Sequence, residues 1–194
     1  MRQAFHILQS GKIEYTYLTD SKTSIQPGKG KMNTQLREVQ KSDLPFLKEI
    51  LYEAVFWRAS VNKPSFEEGL ALPDVRKSLA DWGERAGDAG VLALLDSKPV
   101  GAAWYRFWND KNNVLGYIEE NIPVLVIGVH KDYRRRGIGT KLLPRLFELA
   151  SERAVGKISL NVSKDNYAKN LYVQQGFQIY ADKGDAFTMV IETQ

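Results

Sequence analysis

The feature that most constrains this chain is a continuous apolar run, Val124-Leu125-Val126-Ile127-Gly128-Val129, in the second half of its 194 residues. The run fits neither the alternation of a half-exposed strand nor the period of a surface helix. It is typical of a strand that is buried on both faces. We therefore expect this strand at the centre of a sheet that is covered on both sides.

The segments around this run predict a mixed α+β arrangement. Helical spacing starts at residue 42, returns over residues 75–85 and again over 138–154, and Pro144 predicts a kink in the last of these helices. Residues 62–74 read as a loop. The predicted strands are residues 36–39, 90–95, 100–107, 124–129, 158–162, 177–181 and 187–191, and a short helix over 166–175 ends at Gly176.

The chain divides into a short extension and one domain. Residues 20–31 are poor in apolar side chains and contain Pro27, Gly28 and Gly30, which is typical of a linker. We expect residues 1–31 to be a peripheral extension and residues 32–194 to form the domain.

Composition excludes several kinds of site. Cysteine is absent, which rules out disulfides, thiolate zinc sites, iron–sulfur clusters and cysteine nucleophiles. The two histidines, His6 and His130, are too few for a histidine-rich metal site, so no metal is expected. No apolar run approaches the ~18 residues of a membrane span, and the first residues lack the core of a signal peptide. We expect a cytoplasmic protein that does not associate with membranes.

The net charge of +4 is unevenly distributed along the chain. Residues 1–31 carry most of the excess, whereas a nucleic-acid binder usually has its basic stripe on the folded body. We therefore expect no nucleic-acid partner. Whether the chain works as a monomer or a homodimer stays open.

The basic cluster that follows the apolar run predicts an anion site. Three arginines lead to Gly137-Ile138-Gly139, and a helix begins there. The first N–H groups of a helix have no intrahelical partner, and the helix dipole adds partial positive charge. Glycines let a phosphate approach the backbone closely, and arginines add forked donors.

Two known phosphate loops do not fit this segment. A P-loop needs a Gly-Lys-Ser/Thr ending, which is absent. A Rossmann fingerprint needs three glycines, and only Gly137 and Gly139 are present. A basic loop that binds no ligand is the remaining alternative from this segment alone.

Two motifs resemble those of the GCN5-related N-acetyltransferase (GNAT) superfamily. Arg134-Arg135-Arg136-Gly137-Ile138-Gly139 is similar to the family's Gln/Arg-x-x-Gly-x-Gly/Ala loop, and it follows a strand as in that family. Residues 166–177 resemble the family's Asn-x-Ala-x-x-Leu-Tyr-x-x-x-Gly-Phe segment. The order and spacing of the two motifs make the resemblance specific, and it covers roughly residues 36–192.

The resemblance implies a fold and a co-substrate. The fold is α+β, with a mixed, mostly antiparallel central sheet that is splayed at the cofactor site and flanked by about four helices. The co-substrate is acetyl-coenzyme A (acetyl-CoA). Backbone groups of Ile127 and Val129 would pair with its pantetheine arm, and Asn166 would hydrogen-bond that arm. The diphosphate would be surrounded by Arg134, Arg135, Gly137, Ile138, Gly139 and Thr140.

The resemblance also implies catalytic roles. Tyr172 would lie near the thioester sulfur and donate a proton to the leaving thiolate. Many relatives place a glutamate base where this chain has Val124, so the base stays open. The nearest carboxylates are Glu119 and Glu120, which either serve the amine or form a solvated acidic turn; a backbone carbonyl with a water chain is another alternative.

The predicted function is transfer of an acetyl group from acetyl-CoA to a primary amine by direct attack on the thioester. A small-molecule acceptor, a protein amino group and a non-catalytic acyl-CoA-binding module are the alternatives, and we favour the first. Several aromatic residues either line the acceptor pocket or belong to the core: Phe56, Trp57, Phe66, Trp104, Tyr105, Phe107, Trp108 and Tyr117.

Overall fold

A computed structural model describes residues 34–58 and 62–193 of the chain. The predicted extension, residues 1–31, lies outside the described residues. Within them the strands are β1 (Thr34–Glu38), β2 (Ala89–Leu95), β3 (Lys98–Arg106), β4 (Val124–Val129), β5 (Lys157–Ser163), β6 (Gln178–Asp182) and β7 (Ala186–Glu192). The helices are α1 (Leu44–Val55), α2 (Phe66–Ala71), α3 (Pro73–Leu79), α4 (Ile138–Glu152) and α5 (Ala168–Gln174).

The strands form one seven-stranded sheet in the order β1-β2-β3-β4-β5-β7-β6. Neighbouring strands are antiparallel except β4 and β5, which are parallel and share a single ladder pair, Val124 with Ser159. Beyond that pair the two strands diverge. The α+β fold with a mostly antiparallel, splayed sheet is therefore confirmed.

The helices cover both faces of the sheet. Alternate residues of β2 and β3 point to opposite sides, as the period of a strand requires. Leu92, Ala102 and Trp104 pack with α1 and α3 on one face. On the other face Val91, Ala93, Ala103 and Tyr105 pack with Leu142, Leu143 and Leu146 of α4. The two apolar clusters form the core of the domain.

Strand β4 lies at the centre of the sheet, as its apolar run predicts. Only Val124 and Leu125 are buried, however, whereas the residues from Val126 to Val129 are half-buried. The difference arises because β5 has already diverged from this half of β4. The exposed strand edge is where the apolar run reaches the candidate site.

Two predictions of local structure are wrong. Residues 62–74, predicted as a loop, contain α2 and the start of α3, and α3 ends at Leu79 and not near residue 85. The side chain of Ser65 accepts a hydrogen bond from the N–H of Glu68, and Glu68 bonds back to the N–H of Ser65. This capping box starts α2 in a segment whose glycine and prolines suggested a loop. Helix α4 runs from Ile138 to Glu152 with Pro144 inside it, and the kink expected near Pro144 remains a prediction.

Candidate functional site

The loop between β4 and α4 has an unusual backbone path. A 3₁₀ turn over Lys131–Tyr133 is followed by residues 134–139, which we call the glycine loop. Arg135 and Gly137 both have left-handed backbones, with φ of 59° and 75°. The chain enters α4 directly from Gly137, so the unpaired N–H groups of the helix start face the loop. This arrangement is suited to an anion.

The two glycines of the loop have different structural roles. Gly137 needs its left-handed backbone, and a Cβ there would meet nothing within 4 Å. A Cβ on Gly139 would lie 2.9 Å from Cδ2 of Leu171 on α5. We expected both glycines to make room for a phosphate. The structure adds that Gly139 makes room for α5.

The splay leaves backbone groups of β4 without a neighbouring strand. The N–H of His130 donates to the carbonyl of Val100 on β3, so residue 130 points toward β3. Backbone direction alternates along a strand, and Ile127 and Val129 therefore point toward the gap between β4 and β5. The carbonyl of Val129 already accepts a hydrogen bond from Nε of Arg134, and the pairing of Ile127 and Val129 with a pantetheine arm remains a prediction.

A first cleft of about 290 Å³ lies between the glycine loop, the end of β4 and α5. It is lined by all the predicted cofactor-binding residues except Asn166: Ile127, Val129, Arg134, Arg135, Gly137, Ile138, Gly139, Thr140 and Tyr172. Its walls also include Tyr133, Tyr167 and Leu171. The structure thus brings together residues from two separate segments of the chain, residues 127–140 and 167–174.

A second cleft of about 390 Å³ continues along the splay. Its floor is β4 and part of β5, and its walls come from α1, α3 and the loop that contains Val114 and Leu115. Asn166 lines this second cleft. Tyr172 lines both clefts and therefore stands where they meet.

Tyr172 is held in an apolar setting on α5. Its side chain is almost fully buried, and its ring lies 5.7 Å from that of Phe177 in an edge-to-face arrangement. Burial raises the pKa of Tyr172 well above its usual value, and Tyr167 raises it further. The phenol is therefore protonated at neutral pH and is able to donate its proton.

Arg134 is bound to the protein on two sides. Its Nε donates to the carbonyl of Val129 at 3.1 Å, and its terminal nitrogen donates to the Glu53 carboxylate at 2.6 Å. The predicted contact of this guanidinium with a diphosphate remains a prediction. Arg135 is differently placed, with its guanidinium carbon 6.0 Å from the Tyr167 ring centre beside the first cleft.

A hydrogen bond and an ion pair fix the two residues Asp165 and Asn166 before α5. The side-chain oxygen of Asn166 accepts a hydrogen bond from the N–H of Ala168 at 2.9 Å, which fixes the start of α5. Next to it, Asp165 forms an ion pair with Arg58 at 2.7 Å. Arg58 follows α1 in the chain, so this pair joins the end of α1 to the loop before α5.

Glu119 and Glu120 do not lie with the other predicted site residues. Both are exposed in the loop between β3 and β4, and they line two separate depressions, neither of which contains Tyr172. The carboxylates among the lining residues of the second cleft are Glu53 and Asp74. The structure therefore does not bring the two predicted base candidates to the cleft.

The aromatic residues proposed for the acceptor pocket mostly lie elsewhere. Trp57 lines the second cleft. Trp104 and Tyr105 are fully buried in the core, and Trp108 is nearly so. Phe66 packs edge-on against Tyr52 with 5.4 Å between ring centres. Most of these rings thus stabilise the fold.

Sequence reasoning missed Glu53, Asp74 and Ser78, which all line the second cleft. Ser78 and Asp74 lie one turn apart on α3, and the Ser78 hydroxyl donates to the Asp74 carbonyl. The Ser65–Glu68 capping signal could have placed this helical segment. Glu53 has no comparable signal in the sequence.

The described residues contain neither a metal-binding cluster nor a membrane-spanning helix. In residues 34–58 and 62–193 there is no cluster of three histidine or carboxylate side chains that could hold a metal ion. The same part of the chain contains no helix that is long and apolar enough to cross a membrane.

The chain is similar by sequence to one protein family. The sequence model of the Acetyltransferase (GNAT) family matches residues 53–177. No curated protein matches the chain by sequence.

The solved structures with similar folds include three acetyltransferases. The first is yncA from Salmonella typhimurium with its cofactor acetyl-CoA, with a TM-score of 0.58 and 20% identity over 83% of this chain and 94% of that one. PaiA N-acetyltransferase from Thermoplasma acidophilum, in complex with coenzyme A, has a TM-score of 0.60 and 18% identity over 83% and 99%. Ribosomal-protein-alanine N-acetyltransferase from Brucella melitensis has a TM-score of 0.59 and 23% identity over 81% and 99%.

Proposed function

This chain belongs to the Acetyltransferase (GNAT) family, and we propose that it transfers an acetyl group from acetyl-CoA to a primary amine of a small molecule. Members of this family are acyltransferases, and the chain has the family's fold. The acceptor and the residue roles below are our proposal.

The observation that carries the proposal is the position of Tyr172 at the junction of the two clefts. One cleft leads from Tyr172 to the glycine loop, and the other leads to α3 and Leu115. A donor bound in the first cleft and an acceptor bound in the second would meet beside the phenol. Bringing two reactants together in this way is a large part of catalysis.

The first cleft fits the co-substrate. The N–H groups at the start of α4, near Ile138 and Gly139, hold the diphosphate, and the left-handed Arg135 and Gly137 shape the loop around it. The backbone groups of Ile127 and the N–H of Val129 pair with the pantetheine arm, as an added strand would, while the carbonyl of Val129 is held by Arg134. Acetyl-CoA supplies the activated acetyl group.

Tyr172 donates its proton to the departing thiolate. The raised pKa of Tyr172 keeps the donor protonated, and burial excludes competing water. A backbone N–H on the open edge of β4 stabilises the negative charge that develops on the carbonyl oxygen.

The amine must lose a proton before or during attack. Water in the second cleft carries this proton to Asp74, the more exposed of the two carboxylates that line the cleft. Asp74 is paired with Lys77 at 2.8 Å, and Glu53, the other carboxylate, is paired with Arg134. Glu119 and Glu120 remain candidates from the sequence alone.

The walls of the second cleft support a small acceptor. Helix α2 is anchored to α1, because the Tyr52 hydroxyl donates to the carbonyl of Pro64 at 2.5 Å and Phe66 packs on the Tyr52 ring. Asp74 and Ser78 of α3 then face the cleft on one side, and Leu115 lies on its other side. A protein substrate needs a more open groove.

The experiment is a panel of small amines and of peptides with free amino groups, mixed with acetyl-CoA and followed by thiol release. We expect release with a subset of the small amines and little with peptides. Release with peptides alone would identify a protein acetyltransferase. Acetyl-CoA binding without release for any amine would instead indicate a binding module.

A further inference from the structure

We propose that Glu53 is a positioning residue that holds the glycine loop in its binding shape through Arg134. This inference rests on the proposed binding of acetyl-CoA at that loop. Glu53 lies in the last turn of α1, 81 residues before Arg134 in the sequence. The two side chains are only 20% and 25% exposed, so the ion pair is largely shielded from solvent.

The contacts of Arg134 join three parts of the structure. Nε bonds to the last carbonyl of β4, at Val129, and the terminal nitrogen bonds to the carboxylate of Glu53. The same nitrogen lies 3.4 Å from the main-chain carbonyl of Glu53, one of the unpaired carbonyls at the end of α1. A cation at this end of a helix is favourable for the helix dipole. One guanidinium thus fixes β4 and α1 to the start of the loop.

The loop beyond Arg134 needs such support. Arg135 adopts a left-handed backbone, which is strained for a residue with a Cβ. Such strained residues persist where the surroundings fix them. Arg134, which directly precedes Arg135, is the residue that Glu53 and Val129 hold in place.

Helix α1 is a firm anchor for this contact. A Cβ placed on Gly128 of β4 would lie 2.7 Å from Cγ2 of Ile50, so α1 and β4 are in close contact next to Val129. Ile50 itself is fully buried. The carboxylate of Glu53 is therefore presented from a rigid element.

The positioning role of Glu53 and a direct contact of Arg134 with the diphosphate predict opposite effects of Glu53 substitution on acetyl-CoA affinity. If Arg134 bound the diphosphate itself, removing the negative charge of Glu53 would leave co-substrate affinity unchanged or increase it. If Arg134 holds the loop, removing that charge weakens affinity, because the loop relaxes before it binds.

The test is calorimetric titration of acetyl-CoA into the full-length protein and its variants. We expect Glu53→Gln to weaken acetyl-CoA binding roughly tenfold. Arg134→Lys should weaken it similarly, because an ammonium lacks the planar arrangement of several N–H donors that a guanidinium has. The double variant Glu53→Gln/Arg134→Gln should bind no more weakly than Arg134→Gln alone, because both changes remove one interaction. Glu49→Gln, one turn earlier on α1 and outside both clefts, is the matched control and should bind as the wild type does.

Turnover separates positioning from a merely structural role. We expect KM for acetyl-CoA to rise in Glu53→Gln while kcat at saturation changes less than about twofold, since Tyr172 is untouched. Thermal unfolding confirms that each variant is folded. Wild-type affinity in Glu53→Gln, or additive losses in the double variant, would overturn this inference alone. Wild-type protein that does not bind acetyl-CoA would overturn the proposed function itself.

Discussion

Gly139 faces Leu171 so closely that a Cβ on the glycine would lie 2.9 Å from Cδ2 of the leucine. The two residues belong to the two segments that carry the family resemblance, and their contact brings the helix start of one beside the helix of the other. The approach of α5 to α4 shapes the first cleft. We therefore expect residue size at position 139 to affect acetyl-CoA affinity.

We predict a graded loss of affinity at position 139. Gly139→Ala should have a small effect, because the end of the Leu171 side chain can shift, whereas Gly139→Leu should displace α5 and weaken acetyl-CoA binding by tenfold or more, about 1.4 kcal/mol. Titration calorimetry measures both. Gly156→Leu is the matched control, since a Cβ there meets nothing within 4 Å. Unchanged affinity in Gly139→Leu would contradict the assigned cleft.

The proton donor is tested by Tyr172→Phe. We expect kcat to fall by about 100-fold, in the range typical of a lost general acid, with little change in acetyl-CoA affinity. Tyr180→Phe is the control, because Tyr180 is exposed on β6. Wild-type turnover in Tyr172→Phe would remove the phenol from the mechanism.

The pH dependence of turnover follows from the raised pKa of Tyr172. A raised pKa means that the phenol keeps its proton to a higher pH than tyrosine in water, for which the pKa is about 10. The phenol should therefore stay protonated from pH 7 to pH 10, and kcat should not fall over that range through loss of this proton donor. A profile of kcat over that range checks this, and an alkaline decline that disappears in Tyr172→Phe would contradict it.

The base is tested by three amide substitutions. We expect Glu119→Gln and Glu120→Gln to leave the pH profile of kcat/KM in place, because neither side chain lines the cleft of Tyr172. Asp74→Asn should raise KM for the amine or shift that profile, because Asp74 lines the second cleft. A shifted pH profile of kcat/KM in either glutamate variant would identify that glutamate as the base.

A buried ion pair provides a stability prediction away from the site. Arg106 and Asp88 are both nearly inaccessible, with Nε of Arg106 2.8 Å from the carboxylate, and Arg106 also donates to the carbonyls of Ser78 and Ala80. Burial lowers the pKa of Arg106, and the Asp88 carboxylate opposes this shift. Asp88→Asn should reduce the free energy of unfolding by about 3–5 kcal/mol, because it leaves a buried charge unpaired. Chemical denaturation measures the loss, and the exposed Asp96→Asn serves as its control.

The sequence predicted the parts of the structure that depend on local patterns. The apolar run from Val124 to Val129 predicted a central strand, and the glycine loop with the segment before Gly176 predicted the first cleft. These features need only neighbouring residues to specify them. Helix α2 was missed because Gly69 and the nearby prolines indicate a loop, whereas the capping box of Ser65 and Glu68 starts a helix there.

Long-range contacts could not be read from the sequence. The pairing of Arg134 with Glu53 joins residues far apart in the chain, and only the packing of α1 on β4 brings them together. The same packing decides that Trp104 belongs to the core while Trp57 lines the second cleft. Glu119 seemed close to the site because it precedes β4 in the sequence, but it points into a separate depression.

The most direct test of the account is a crystal structure of the protein with coenzyme A. We expect the diphosphate oxygens within about 3.2 Å of the backbone nitrogens at the start of α4, between Gly137 and Thr140, and the pantetheine arm beside Ile127 and Val129. A bound coenzyme whose diphosphate lies away from the glycine loop would contradict it.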